Sequence, residues 1–527
     1  MIYFLLPSSP KHTFEHISIS KHATEPNAAV SQSLRKYINE IKEKIATREK
    51  EWDVYKKFTN PYEYIHTAIP HKKRSVAKYK PISRAYFKMI EMITTFNLNA
   101  PVDEVQPFAT KPRSRQVIQS STNLKRETSN EDLAQHAAHV FRRFDDLSES
   151  PQKKGDFGLS EESSVNHLKM RTFHLAEGPG GFIEAICNKR ENPNDEYYGM
   201  TILIDENDDN VPGWNKSGHF LNQHPNIHIE LGADRTGNLL HIENFDYCVH
   251  KYESSMDLIT ADGGFDFSND FNKQEISIAR LLWGQVCYAL CLQKRGGNFV
   301  LKIFDIFYNH TIDILYILAG FYLEVNVCKL QTSRIGNSEK YVVCKGFRFD
   351  NNSEFVSVVR ESFSQIIEVQ NVGELDKWRS AQFSEIRDDP LTYEDPNATS
   401  PPPLRSALRL AFATSHPDQS SLCNSRMPNT KCVLSVDYVW RFLNRPVPRH
   451  FTKNIEDINA LFGHQQIENI HYTISLIDKH SKHDKTEQLV KQNIAKCVNW
   501  CLEHKVPYHS MNSLNVFTSE EIVNAGF

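Results

Sequence analysis

The chain has 527 residues, 40% of them apolar and 24% charged, with a net charge of −4. At roughly 150 residues per domain this leaves room for two to four domains, and it excludes a collagen-like, disordered or disulfide-scaffold protein. No apolar run reaches the ~18 residues that cross a bilayer. The opening MIYFLLPSSP has neither the length nor the positive start of a secretory signal, and the ten cysteines form no CxxC pair. Free thiols in a reducing intracellular compartment, cytoplasm or nucleus (a viral factory or virion for a viral protein), are the expectation.

Residues 1–75 read as a helical extension. Within SQSLRKYINEIKEKIATREKEWDVYKKF the apolar Leu34, Ile38, Ile41 and Ile45 recur every three to four residues. A second helix is predicted in KPISRAYFKMIEMITTFNLNA (80–100), with Tyr86, Met89, Ile90 and Ile93 on its buried side. A basic insertion, 101–170, follows. It opens as a polar Ser/Thr-rich loop, holds a short amphipathic helix EDLAQHAAHVFRRFDDL (131–147) and closes as a linker. Charge is concentrated here: residues 71–127 carry twelve Lys/Arg against four Asp/Glu, a net +8, so the rest of the chain carries −12. Such a surface suits a phosphate backbone, with a merely solvated basic loop as the plain alternative. The candidate contacts for such a backbone are Lys72, Lys73, Arg74, Arg84, Lys111, Arg113, Arg115, Lys125 and Arg126.

From 171 to 347 short apolar runs alternate with helical ones. RTFHLAE, EYYGMTILI, MDLITADGG, GNFVLKIFD, FYLEVNVCKL and EKYVVCKGF read as strands, the first ending at Glu177. GFIEAICNKR, EISIARLLWGQVCYALCLQK and HTIDILYILAGFY read as helices. This alternation predicts an α/β fold, a mostly parallel sheet with helices on both faces, its last two strands antiparallel at one edge. Residues 351–527 read as mostly helical, with helical periodicity in VDYVWRFLNR, ENIHYTISLIDKH and TEQLVKQNIAKCVNWCLEHKV and a proline-rich loop at 387–405.

The strongest local signal is HLAEGPGGFIEA (174–185), a strand, a glycine-rich turn and a helix. Glycines let backbone approach a ligand and leave a helix N-terminus facing it, at the sheet edge where nucleotide-like ligands bind. It is neither GxGxxG nor a P-loop. Asp262 ends DLITADGG, Lys302 lies inside the apolar strand GNFVLKIFD, and Glu339 opens EKYVV. A lysine flanked by Phe299, Val300, Leu301, Ile303 and Phe304 is costly to bury unless paired. An acid, a lysine and a glutamate converging at strand ends form a functional-site pattern. Cys497, Cys501 and His504 share a helix face but lack a fourth ligand and read as half-buried helix residues. Cys287 and Cys291 read as core, and His174 as a satisfied strand histidine.

EGPGGF, ADGG, LKIFD and TSRIGNSEKYVVCKGF together resemble the FtsJ-type Rossmann-fold RNA 2'-O-methyltransferases. Within them the likeness is greatest to the cap-specific mRNA ribose methyltransferases of cells and large DNA viruses. It covers about 80–350, so residues 76–350 would form the methyltransferase domain, with helical extensions on either side. The resemblance implies S-adenosylmethionine as cofactor, no metal, and a Lys-Asp-Lys-Glu tetrad. Asp262, Lys302 and Glu339 match its last three members, and SRAYFKM resembles the segment bearing the first, giving Lys88 with Lys80 as competitor. For the cofactor it implies Glu177, Gly178, Pro179, Gly180, Gly181, Phe182, Asp205, Asp234 and Asp262.

The residue types suit the chemistry. A ribose 2'-hydroxyl must lose its proton as it attacks a sulfonium methyl group. A lysine serves as base only below its ordinary pKa of ~10.4; burial and a second ammonium lower it, and carboxylates raise it. Lys302 is assigned to the hydroxyl as base or orienting partner, Lys88 to tuning it and holding ribose or phosphate, and Asp262 and Glu339 to orienting the lysines. The resemblance implies a capped RNA substrate modified at its first transcribed nucleotide, with other capping or transcription proteins as further partners and no DNA or membrane. Two other functions stay open: methylation of an internal RNA position, and a non-catalytic RNA-binding subunit.

Overall fold

The computed structural model describes residues 1–100, 168–203, 213, 214, 216–264, 272–368, 437–479 and 483–514. Asp205, Lys111, Arg113, Arg115, Lys125, Arg126, the expected helix 131–147 and the proline-rich loop lie outside these residues.

The sheet has eight strands. They are β1 (Ile2–Leu5), β3 (Arg171–Leu175), β4 (Glu196–Met200), β5 (Ile227–Ile229), β6 (Met256–Ala261), β7 (Gln293–Ile303), β8 (Tyr322–Lys329) and β9 (Lys340–Phe347), in the order β1-β8-β9-β7-β6-β3-β4-β5. β5, β4, β3, β6 and β7 run parallel; β9, β8 and β1 continue antiparallel. β9 inserts between β7 and β8, so β8 is not the edge. The edge belongs to β1, from a segment read as part of a helical extension. A second, two-stranded sheet pairs β2 (Ile17–His22) with β10 (Tyr438–Leu443).

The central strands are buried along most of their length because both faces are covered. Leu258, Val300, Tyr341 and Val343 face one core; Phe173, Ile259, Leu301 and Val342 face the other. Over the first pack α3 (Ala85–Phe96) and α4 (Gly181–Arg190). Over the second pack α6 (Ile242–Tyr252), α8 (Ala279–Leu292), α9 (Asn309–Phe321) and α10 (Val356–Ile367), while α5 (Gly218–Gln223) and the single turn α7 (Gln274–Ser277) lie in connections. The expected helix over EISIARLLWGQVCYALCLQK is thus split at Ile278.

Two expectations fail on strand chemistry. VDYVWRFLNR is a strand, not a helix: its aromatic and β-branched residues pair with β2. Arg441 clamps Asp313 of α9 at 2.7 and 2.9 Å, and the same carboxylate accepts Phe442 N–H. β3 ends at Leu175 rather than Glu177, because Ala176 turns into left-handed backbone (φ 52°).

The flanking helices are α1 (Gln32–Ala46), α2 (Glu49–Thr59), α11 (Arg449–Asp478) and α12 (His483–Glu503). They brace the segment that leads into α3. Asn469 and Asn493 donate to the carbonyls of Thr59 and Phe58, and the Trp500 ring meets Phe87 edge-on at 5.9 Å. Among the described residues no helix is long and apolar enough to cross a membrane.

Candidate active site

Register places Lys302. On β7 it pairs with Tyr341 of β9, so both side chains leave the sheet on the face covered by α3. Asp262 follows the last residue of β6, the neighbouring strand. Lys302 Nζ lies 2.5 Å from the Asp262 carbonyl and 3.3 Å from Oδ1, with 13% of its side chain exposed. Gly264 lies beside it: a Cβ there would meet Nζ at 3.4 Å, an ordinary contact.

Lys88, on the first turn of α3, reaches across to Glu339, with Nζ–Oε2 at 2.7 Å. Ser333 donates to the other oxygen at 2.6 Å. Burial works to raise the Glu339 pKa, but the charges of Lys88 and Lys302 outweigh it and hold the carboxyl well below the usual range. Lys80 lies exposed before α3, whereas Lys88 is the one that meets Glu339.

One member of this cluster was not singled out from sequence. The Tyr341 hydroxyl donates to Asp262 Oδ1 at 2.7 Å and lies 3.4 Å from Lys88 Nζ. A continuous path therefore runs Lys88–Tyr341–Asp262–Lys302. The signal was present in the chain, because two residues on in a strand share a face, which puts Tyr341 beside Glu339. A hydrogen bond to a charged group contributes about 1.5–3 kcal/mol. Tyr341→Phe is expected to cut kcat about 10- to 100-fold while the KM for RNA stays within about twofold; equal losses in both, or a collapsed melting temperature, would point to a structural role.

The loop before β9 is pinned to α3 by buried charge. Glu91 accepts Gln331 N–H, Thr332 N–H and the Thr332 hydroxyl at 2.8–3.1 Å. Glu63 is fully enclosed between Arg84 and Arg334, with contacts of 2.8–3.3 Å. Arg84 also donates to Thr332 O, so this expected RNA contact is instead a strut of the scaffold. Burial alone would raise the Glu63 pKa; the Arg334 hydrogen bond and the two guanidinium charges bring it from 4.5 to about 2. A depressed carboxyl stabilises the fold above its unfolded value, and that advantage disappears as pH falls from 4.5 toward 2. This stabilisation is worth about 3 kcal/mol. Glu63→Gln should lower the melting temperature at pH 7 and flatten its fall across this acid window, as read by thermal melts at stepped pH.

The glycine turn lies at the carboxyl end of β3. Gly180 takes left-handed backbone (φ 98°), where a side chain would also approach the Trp214 ring at 3.1 Å. A Cβ on Gly181 would lie 2.2 Å from Ser83 Oγ and 3.1 Å from Tyr86 N, so this glycine lets α3 touch α4. Glu177 is buried and accepts Phe182 N–H at the start of α4. Its other oxygen, 3.1 Å from His174 Nδ1, has no hydrogen bond. Phe182 is wholly buried with its ring toward Tyr341, a core residue rather than a pocket wall. Asp234 is held within its own turn by Thr236 N–H, the Thr236 hydroxyl, Asn244 and His241, which keep its carboxyl well below the usual range against the effect of burial.

His174 bonds Thr172 and Thr260, a satisfied strand histidine. Cys287 and Cys291 are core. Cys497, Cys501 and His504 are fully rather than half buried, and among the described residues no cluster of His, Cys, Asp and Glu could hold a metal ion.

A parallel sheet with a glycine turn after β3, an antiparallel final pair, and two lysines and two carboxylates gathered beside the carboxyl ends of β6 and β7 is a Rossmann-like methyltransferase fold. Residues 157–347 match the FtsJ-like methyltransferase family model. The chain is similar to cap-specific mRNA (nucleoside-2'-O-)-methyltransferase 1A of Caenorhabditis briggsae, 31% identical over 216 residues, 40% of this chain and 24% of the relative. It is 35% identical over 186 residues to cap-specific mRNA (nucleoside-2'-O-)-methyltransferase 1 of Leishmania braziliensis, 34% of this chain and 45% of the relative. A C. briggsae relative named an inactive cap-specific mRNA (nucleoside-2'-O-)-methyltransferase 1B is 30% identical over 215 residues, 40% of this chain and 24% of that protein. The matched stretch spans between a quarter and a half of these relatives' lengths.

Proposed function

We propose that the protein transfers a methyl group from S-adenosylmethionine to the ribose 2'-hydroxyl of the first transcribed nucleotide of a capped RNA, converting cap 0 to cap 1. The observation that carries this reading is the Lys88–Glu339 and Lys302–Asp262 arrangement, joined by Tyr341, in a domain whose relatives bear the cap-methyltransferase name.

The residues at the turn fit the donor. A buried Glu177 oxygen without a hydrogen bond suits a cationic amino group, and the backbone of Gly178, Pro179 and Gly180 lies beside the α4 N-terminus. When bound, the donor supplies an electrophilic methyl group. The chain's own residues then position and deprotonate the acceptor. Lys302 Nζ is directed by the Asp262 carbonyl and carboxylate and lies beside Gly264. From there Nζ takes the 2'-hydroxyl proton as the oxygen attacks. Lys88, fixed by Glu339, supplies positive charge to ribose or phosphate. Positioning of the two reactants accounts for much of the rate. Lys72, Lys73 and Arg74 lie in the described part of the basic segment and are assigned to the RNA strand.

The test supplies labelled S-adenosylmethionine and capped RNA without 2'-O-methyl groups, beside uncapped RNA and Lys302→Ala. Label on the first ribose, absent from both controls, is the expected result. Label on both RNAs would replace this reading with internal-site methylation. RNA binding without any label would replace it with a non-catalytic subunit.

A further inference from the structure

Between the strut residue Glu63 and α3 the chain folds back on itself over residues 66–80. Its backbone is fixed at several points. Ile69 N–H bonds Arg74 O, and Val76 and Ala77 N–H bond Tyr64 and Ile65 O. The C-terminal segment straps the same stretch, with Lys78 N–H on Pro507 O at 2.9 Å and His509 N–H on Val76 O at 3.0 Å. This fold borders a half-open cavity of about 200 Å³, lined chiefly by His66, Lys73, Arg74, Ser75, Tyr79 and Lys80.

The lining is one-signed. No carboxylate belongs to the wall, and among the described residues none pairs with Lys73, Arg74 or Lys80. Two of the uncharged polar groups are already engaged. The Ser75 hydroxyl donates to Ala77 O, and the Tyr79 hydroxyl donates to Glu184 and accepts from Asn188. Glu184 is occupied by Tyr79 and by Ile82 N–H, and Glu63, which acts on His66, by Arg84 and Arg334. His509, beside the strap, is pushed toward its neutral form by burial and by Arg74, Lys78 and Lys80. Three cations are thus held around one concave space on fixed backbone, without counter-charge.

We propose that this cavity is a phosphate-binding site for the substrate RNA. The inference rests on the reading of the protein as an RNA methyltransferase and deepens it. The site is coupled to the reacting centre by construction. Glu184 of α4 fixes the chain just after Lys80, and α3 carries Lys88 eight residues beyond Lys80, at most about 28 Å along an extended chain. An RNA entering the tetrad meets the cavity within a few nucleotides. The phosphate comes either from the strand's backbone or from a 5' triphosphate bridge.

Full-length protein is titrated with a fluorescent 5'-hydroxyl oligoribonucleotide and with a capped one, at several salt concentrations, with inorganic pyrophosphate as competitor. For single strands log K falls with log[salt] with a slope of about −0.7 per phosphate contact. Combining Arg74→Ala with Lys80→Ala should make the slope shallower by about 1.4, while Lys44→Ala, on the exposed face of α1, leaves it unchanged. A thermal melt confirms that each variant is folded. A shallower slope with both RNAs assigns the site to backbone phosphate; one confined to the capped RNA assigns it to the triphosphate bridge. A double variant with the wild-type slope on both RNAs overturns the proposal. Because the measurement needs no methyl transfer, an inactive protein whose slope still responds would refute the enzymatic reading and not the site.

Discussion

Lys302→Ala is expected to lower kcat for methyl transfer to capped RNA by about 10²- to 10⁴-fold, the range spanned by positioned acid–base groups. Donor affinity, measured by calorimetry, should stay within about twofold, because the glycine turn is built on β3 and α4 rather than on β7. The size of the effect follows from placement. Lys302 has only 13% of its side chain exposed, is aimed by the Asp262 carbonyl and carboxylate, and lies beside Gly264. Retention of more than a tenth of the activity would remove Lys302 from the proton-transfer step. Sequence identity cannot substitute for this experiment, since a relative named inactive is 30% identical to this chain, close to the 31% of one without that label.

Much of the fold and of this cluster was legible from the chain, for identifiable reasons. The alternation of strand and helix over 171–347 is strong because doubly covered strands must be apolar throughout, so Lys302 stands out as a charge that requires a partner. Asp262 and Glu339 mark strand ends. Tyr341 was legible by period two. What escaped were partners joined across long sequence separations. Nothing local in NPYEYI shows that Glu63 sits between Arg84 and Arg334, or that Arg84 is thereby taken from the RNA surface. β1 was too short to declare itself, and its pairing is decided by β8 alone. VDYVWRFLNR carries apolar residues that fit either period, and only the β2 partner and the Asp313 clamp select the strand.

Lys88 and Glu339 should fail as one unit. Lys88 and Glu339 are joined at 2.7 Å across elements 251 residues apart in the chain, and each is only 12–14% exposed. Removing one leaves the other a poorly solvated charge without its counter-ion, an effect of up to about 3–5 kcal/mol for a fully buried pair and less at this exposure. Lys88→Ala and Glu339→Ala are therefore each expected to lower kcat/KM by about 10²-fold, and the double variant by scarcely more, a coupling of about 2–3 kcal/mol. Lys88→Ala combined with Glu63→Gln should be closer to additive in kcat/KM, because Glu63 acts through Arg84 and Arg334 on the loop and not on the ammonium. Steady-state kinetics on the four members of each cycle decide the matter. Additive losses from Lys88 and Glu339 would mean that the carboxylate serves the acceptor directly, and the path Lys88–Tyr341–Asp262–Lys302 would then have to be redrawn without Glu339 as its anchor.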